Sequence, residues 1–332
     1  MLSAYEEGWL NFLPSRLRGI ISGQGESRGN WREIHLRPGQ PVLILGAGGE
    51  TYLGQGSLPV TGAELQATLE LMARHSVYAL EEEMRRGFIT LPGGHRLGFT
   101  GRAVLEHGRI RLIREISSLN LRLAHAVPGA GRSVIGNLIR KGRVLSTLIL
   151  SPPGCGKTTM LRDLVRLFSE GLPSHGLSGQ QVSLVDERSE VAGTYLGLPQ
   201  LDVGPRTDIL DGAPKAEGML LMLRAMAPDI LATDEIGRGE DAEAIAEAAK
   251  AGVAVLATAH AGGHREALQR PTLAAILKNN CFERLVVLDR SDGPGTVRAI
   301  YESKRDVRLE VGECCESWAL CPPWSARAAS AI

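Results

Sequence analysis

The chain has 332 residues, 43% of them hydrophobic, enough for two domains with cores of their own. Its 37 Lys and Arg balance 37 Asp and Glu, which removes any argument from global charge for binding nucleic acid or an anionic membrane and leaves only local basic patches. No apolar run approaches the ~18 residues of a membrane span, the acidic start from Met1 to Glu7 lacks the basic region of a signal peptide, and five cysteines, an odd count with Cys155 inside a glycine-rich loop, suit a reducing, cytosolic compartment.

A polar, Gly-rich stretch from Gly19 to Gly29 precedes a strand-like run with a partly alternating pattern, Trp31 to Arg37, and a second run, Val42 to Leu45. Thr61 and Glu64 have the spacing of a capping box and open a helix that runs to about Arg86, with Leu65, Leu69, Met72 and Ala73 on one face. Residues 88–124 read as a β-meander with turns at Pro92–Gly94 and His107–Gly108. Together these elements predict a small α+β domain over 1–126, followed by a Pro/Gly linker at 127–133. The pattern then changes. Short apolar runs at 144–150, 181–186, 229–234, 252–259 and 284–289 alternate with helical stretches, one of them from Ala213 to Ala227. Such alternation predicts an α/β domain over 134–305, built on a parallel sheet covered on both faces. Residues 306–332 read as a tail, and its Cys314, Cys315 and Cys321 lack the paired spacing and nearby His of a metal site.

The first apolar run of the α/β region leads into Ser151-Pro152-Pro153-Gly154-Cys155-Gly156-Lys157-Thr158-Thr159, and helical periodicity follows from Met160 to Phe168. Strand, glycine loop and helix form the context of a phosphate-binding P-loop, whose backbone N–H groups and helix N-terminus attract anions. Ser151 stands where the pattern usually opens with Gly, and it is small enough for a tight turn. Lys157 would reach the β- and γ-phosphates of ATP, and the Thr158 hydroxyl would hold Mg²⁺. Further on, the apolar run from Asp229 to Thr233 ends in Asp234 and Glu235. Its strand is expected beside the P-loop strand, with Asp234 on Mg²⁺ and Glu235 polarising the attacking water. Alternation along the strand would point the two carboxylates differently.

Two more strand ends are polar. Val182 to Val185 runs into Asp186, Glu187 and Arg188, so Glu187 is an alternative to Glu235 for orienting water or metal. Leu256 to Ala259 runs into His260, which could sense the γ-phosphate directly or through Thr258. Arg96, Arg102, Arg109, Arg111, Arg114 and Arg122 fall within the meander. An ATPase can take a transition-state Arg from another domain or subunit; Arg102 and Arg114 are the candidates by loop or strand-end placement, and Arg206, ahead of the helix at 213–227, is a candidate sensor.

These stretches resemble a known family. Val185–Glu190, Arg206–Met219 and Ala232–Gly237, with Gly94–Arg102 and Arg114–Asn120 in the N-terminal half, are similar to the stage III sporulation protein AA family. That family is in turn similar to the motor ATPases of bacterial type II and type IV secretion. The resemblance implies an N-terminal domain joined to a RecA-like P-loop core. It implies hexameric assembly, an acidic box at Asp186-Glu187, a Walker B pair at Asp234-Glu235, and a His box at Thr258-Ala259-His260. It also implies N-terminal arginines that face nucleotide across a boundary. Secretion motors often end the Walker B strand in Gly-Glu where this chain has Asp-Glu, so Glu235 and Glu187 both stay open as the residue that orients water. The implied biology is a cytoplasmic ATPase, peripheral at the mother-cell face of the forespore membrane, that energises a channel of membrane-embedded sporulation proteins. A nucleic-acid-dependent RecA-like ATPase is the alternative; zero net charge and 4% aromatic residues argue against nucleic acid as a partner. A non-hydrolysing scaffold would not need the Asp234-Glu235 pair.

Overall fold

A computed structural model of the chain describes residues 8–23, 31–46, 48–53, 59–73, 87–303 and 307–309. The chain forms two compact units: Met1–His125 with Gly193–Gln200, and Ala126–Ala192 with Leu201–Ile332.

The first unit is built on a six-stranded antiparallel sheet. Its strands are β1 (Trp31–Leu36), β2 (Val42–Gly46), β3 (Gly49–Leu53), β4 (Phe88–Thr90), β5 (Arg96–Glu106) and β6 (Arg109–Arg122), in the order β3-β2-β1-β6-β5-β4. Alternate residues Ile34, Leu36, Leu97, Phe99, Leu119 and Leu121 share one buried cluster with Leu17 and Ile21 of helix α1 (Ser15–Ser22) and Leu65 of α2 (Gly62–Ala73). The α2 start is the expected capping box. Thr61 N donates to Glu64 Oε2 at 2.9 Å and Glu64 N donates to Thr61 Oγ1 at 3.2 Å. Arg16 adds two bonds to the same carboxylate, 2.7 and 2.6 Å. The helix expected to continue to Arg86 is described as far as Ala73; the rest of that stretch, and the side chains of Met72 and Ala73, lie outside the described residues.

Strands β5 and β6 form a long hairpin that turns at His107 and Gly108, both with positive φ, 49° and 75°. A bulge falls between Thr100 and Arg102, and a Cβ on the intervening Gly101 would lie 2.4 Å from Arg114 O, so only Gly lets the strands approach there. Gly193–Gln200 joins this unit, with Gly93 N donating to Gln200 Oε1 at 3.0 Å.

The second unit contains β7 (Ile139–Arg140) and β8 (Arg143–Val144), which form a small hairpin, and an eight-stranded sheet. The sheet strands are β9 (Thr147–Ser151), β10 (Val182–Asp186), β11 (Thr207–Asp211), β12 (Ile230–Thr233), β13 (Ala254–His260), β14 (Arg284–Asp289), β15 (Thr296–Glu302) and β16 (Val307–Leu309). Their order is β11-β10-β12-β13-β9-β14-β15-β16, parallel from β11 to β14 and antiparallel beyond. Both faces are covered. Ile149 packs with Leu161, Leu164 and Phe168 of α3 (Lys157–Glu170) on one side. Its neighbours Leu148 and Leu150 pack on the other, with Met219 of α4 (Lys215–Met226), Ile245 of α5 (Gly239–Lys250) and Leu273 of α7 (Pro271–Lys278). Helix α6 (His264–Gln269) adds Ala267 to that layer.

Two expectations change. The strand that ends before Asp234 does not lie beside the P-loop strand: β13 is inserted between β12 and β9, paired in parallel with each. All of β13 up to Ala259 is buried and apolar except Thr258, so both its edges and both its faces need cover. Strands β11, β15 and β16 were not expected, because toward the two ends of the sheet polar residues such as Asp208 and Arg298 interrupt the apolar runs.

Candidate active site

The carboxyl ends of β9, β10, β12 and β13 converge in the second unit, where open α/β sheets bind ligands. The loop after β9 turns through Gly154 and Gly156 at φ 67° and 87°. A Cβ at Gly154 would displace the Arg290 guanidinium, whose Nη2 is 2.0 Å away, and one at Gly156 would meet Gly295 N at 3.0 Å; the positive φ at both positions favours Gly. Arg290 fastens this loop from outside, donating to Gly154 O at 2.8 and 3.0 Å and to Pro153 O at 3.2 Å. Gly295 N donates to Cys155 O at 2.9 Å. Ser151, at the position usually held by Gly, is fully buried and donates its hydroxyl to Pro152 O. Pro152 and Pro153 are exposed, Cys155 is buried, and Thr159 is half-buried in the first turn of α3.

Lys157 opens α3 and is 5% exposed. Its ammonium has long bonds to Ser151 O, Ser151 Oγ and Pro152 O, 3.4, 3.4 and 3.3 Å, and one of 3.1 Å to His260 Nδ1. Burial pushes its pKa down against the pull of Asp234 and Glu235. An ammonium has no acceptor, so His260 Nδ1 accepts, and Nε2 of the neutral ring donates to Glu235 Oε1 at 2.9 Å. His260 therefore bridges Lys157 and Glu235.

Asp234 gathers three donors. Thr158 Oγ1 reaches Oδ2 at 2.6 Å, while Thr258 Oγ1 and Glu235 N both reach Oδ1, the latter at 3.0 Å. Glu235 N is shared with Thr258 Oγ1 at 2.8 Å. The two carboxylates do point apart, but strand alternation is not the reason. β12 ends at Thr233, and Glu235 adopts a left-handed backbone with φ 53°. That turn sends its carboxylate to His260 and, through Oε2, to Arg188 at 3.3 Å.

At the end of β10, Asp186 is buried and accepts bonds from the N–H groups of Glu190, Val191 and Ala192 at 2.9–3.0 Å. Burial raises its pKa to about 6 against those bonds. The buried Arg162 holds the same loop by Glu190 O at 2.7 Å and by Val191 O. Asp186 thus shapes the loop, while Glu187 faces the site. Lys215 Nζ donates to Glu187 Oε2 at 2.8 Å and to Glu235 O at 3.2 Å. Burial would raise the Glu187 carboxyl, but Lys215, with Arg238 and Arg188, outweighs it and holds the pKa below the ordinary range.

Arg206 takes no part. It binds Ser169 O at 2.9 Å, at the far end of α3, about 18 Å of helix rise from the P-loop. Arg102 and Arg114 lie in the first unit, directly opposite each other across β5 and β6, and Arg102 has a 3.5 Å ion pair with Glu115 in full solvent. Sequence reasoning missed Lys215 and Arg290. Lys215 lay inside a family-like stretch, Arg206–Met219, without a chemical signature; Arg290 gave no local signal.

Among the described residues, no group of three or more His, Cys, Asp or Glu is set to hold a metal; Cys314, Cys315 and Cys321 fall outside them. The site does fit a Mg²⁺–nucleotide. The loop turns through two positive-φ glycines into the N-terminus of α3, a buried ammonium stands beside it with long hydrogen bonds, and Thr158 with Asp234 supplies hard oxygen donors for an ion completed by phosphates and water.

Comparison with solved structures identifies the fold. The Legionella pneumophila ATPase DotB superposes with a TM-score of 0.55 at 17% identity, covering 83% of this chain and 76% of that one. The pilus retraction motor PilT, solved with bound ADP, gives 0.51 at 14% identity, covering 82% and 76%. The architecture is that of a RecA-like P-loop NTPase, preceded by an α+β unit. In sequence, the stage III sporulation protein AA of Bacillus subtilis is 38% identical over 298 residues, 89% of this chain and 94% of that protein. The model of the family "Sporulation stage III, protein AA" matches residues 4–309. The chain belongs to that family.

Proposed function

We propose that this chain binds ATP with Mg²⁺ and hydrolyses it, working in a ring of six copies as a motor for a channel between mother cell and forespore. The observation that carries the reading is the continuous path Lys157–His260–Glu235 beside the Thr158–Asp234 pair. MgATP, when bound, supplies a γ-phosphoryl group for transfer to water. The loop N–H groups at 154–158 would bind phosphate oxygens, and Lys157 would give up its long bonds to Ser151 and Pro152 for them. Thr158 and Asp234 are the residues that would hold the metal. Glu235 accepts the proton of the attacking water, with His260 fixing one of its oxygens. Glu187 is engaged by Lys215 and is the second candidate for that task.

The relatives support this reading: DotB is an ATPase and PilT is a motor with ADP bound. Arg102 and Arg114 are the residues we assign to a neighbouring subunit's nucleotide. Like charges side by side on a hairpin are destabilising, and an anionic ligand would relieve them. Among the described residues no helix is long and apolar enough to cross a membrane. We place the motor in the cytoplasm, peripheral at the mother-cell face of the forespore membrane, acting on membrane-embedded partners and not on nucleic acid.

The test is ATP turnover against protein concentration, with and without membranes from sporulating cells. Turnover that rises steeply with concentration and with membranes supports an assembly-activated motor. In mixtures, Lys157→Ala protein and the Arg102→Ala/Arg114→Ala double variant should recover activity that each lacks alone. A protein that stays monomeric with ATP and turns over at full rate contradicts the ring, and stimulation by DNA with steep salt dependence contradicts the assignment of partners.

A further inference from the structure

Lys215 is the first residue of α4, where the helix dipole disfavours a cation. Its side chain is nevertheless 10% exposed and turned inward, to groups at the ends of two different strands. One is the Glu187 carboxylate beyond β10, at 2.8 Å; the other is the main-chain carbonyl of Glu235 beyond β12, at 3.2 Å. Glu235 is the residue whose backbone is left-handed, at φ 53°. A non-glycine residue holds that conformation only where its surroundings over-determine it. Here its N–H is taken by Asp234 and Thr258 and its carbonyl by Lys215. If the peptide relaxed to an ordinary strand conformation, the Glu235 carboxylate would leave His260 and Arg188.

The same ammonium neutralises Glu187. Arg238 and Arg188 also act on that carboxylate, and Glu190, Asp234, Glu235 and Asp241 line the same pocket. Unpaired, a second carboxylate in this company would repel Glu235 and compete with it for water and metal.

We infer that Lys215 is a positioning residue for hydrolysis: it locks the left-handed turn that aims Glu235 and withdraws Glu187 from the chemistry. The inference rests on the ATPase reading above and goes beyond it by dividing the roles of the two carboxylates.

The experiment compares wild type with Lys215→Met, Lys215→Arg, Glu187→Gln and Lys215→Met/Glu187→Gln in the full-length protein. ATP affinity, kcat and urea unfolding are measured for each. Lys215→Met should leave ATP affinity within about threefold and lower kcat about 10- to 100-fold, a loss confined to the step after binding. Lys215→Arg should recover part of kcat, because a guanidinium can still reach both acceptors. The double variant should turn over several-fold faster than Lys215→Met, since the stranded carboxylate is gone, and should be more stable to urea than the sum of the single losses. The inference is overturned if Lys215→Met keeps kcat within twofold, if it raises KM alone, or if the double variant is slower than Lys215→Met. A wild type without turnover under any condition would sink the ATPase reading instead. The urea cycle would then decide the Lys215 contact by itself, with additive losses counting against it.

Discussion

The Thr158 hydroxyl donates to Asp234 Oδ2 at 2.6 Å, joining the P-loop helix to the end of a strand that does not neighbour the P-loop strand. The two expected metal ligands are therefore coupled before any ion arrives. Thr158→Ala and Asp234→Ala should each destabilise the protein, and a double-mutant cycle by urea unfolding should give a coupling of about 1–3 kcal/mol, the scale of a hydrogen bond to a charged acceptor. Additive losses would mean that the bond is not formed in solution.

Lys157 should matter for ligand and little for the fold. Its buried ammonium has two long carbonyl bonds, one long hydroxyl bond and one imidazole partner. Lys157→Ala is expected to unfold near the wild-type urea midpoint while its affinity for MgATP, measured by calorimetry, falls about 10- to 100-fold, the scale of one or two charge-assisted bonds.

Gly154 and Arg290 should show losses that do not add. Alanine at 154 meets Arg290 Nη2 and also takes a positive φ of 67°. Gly154→Ala should lower both stability and ATP affinity. Arg290→Ala removes the overlap together with the bonds that fasten the loop, and leaves the backbone cost of about 1–2 kcal/mol, so the double variant should lose less than the sum of the two single losses.

The Arg16–Glu64 contact predicts a pH dependence for the first unit. The Arg16 hydrogen bonds are the main cause holding Glu64 below its usual 4.5. A depressed carboxylate pKa contributes stability above the unfolded value and loses it as pH falls through the folded one. At pH 7, Glu64→Gln should cost about 1 kcal/mol, allowing for a partly screened pair and a weakened helix cap. The gap to wild type should close below pH 4.5. Fluorescence of Trp9 and Trp31, both buried in this unit, follows the unfolding.

The features legible in the sequence were those written in neighbouring residues. The capping box at Thr61 and Glu64, the turn at His107–Gly108, and the strand–loop–helix around Lys157 each occupy one short window, so local pattern was enough to find them. Strand order was not legible in this way. The insertion of β13 between β12 and β9 depends on which buried edges pair, and no single segment encodes that. It is also what brings Thr258 to Asp234 and His260 to Lys157. The left-handed turn at Glu235 was hidden because Glu has no preference for it; the adjacent Asp234 holds it together with Thr258 and Lys215, which come from two other places in the fold. Arg290 reaches the P-loop from the connection between β14 and β15, a hairpin strand the apolar pattern did not disclose.

The most direct test of the site is the fate of ATP on Glu235→Gln. The amide keeps the shape and cannot take the proton of water, and general-base catalysis contributes about 10²–10⁴ in rate. Bound ATP recovered by rapid filtration and quench should remain unhydrolysed at least about 100-fold longer than on wild type, with binding intact, whereas Glu187→Gln should still turn over. Wild-type turnover by Glu235→Gln, with ATP trapped only on Glu187→Gln, would contradict the assignment of Glu235 as the base.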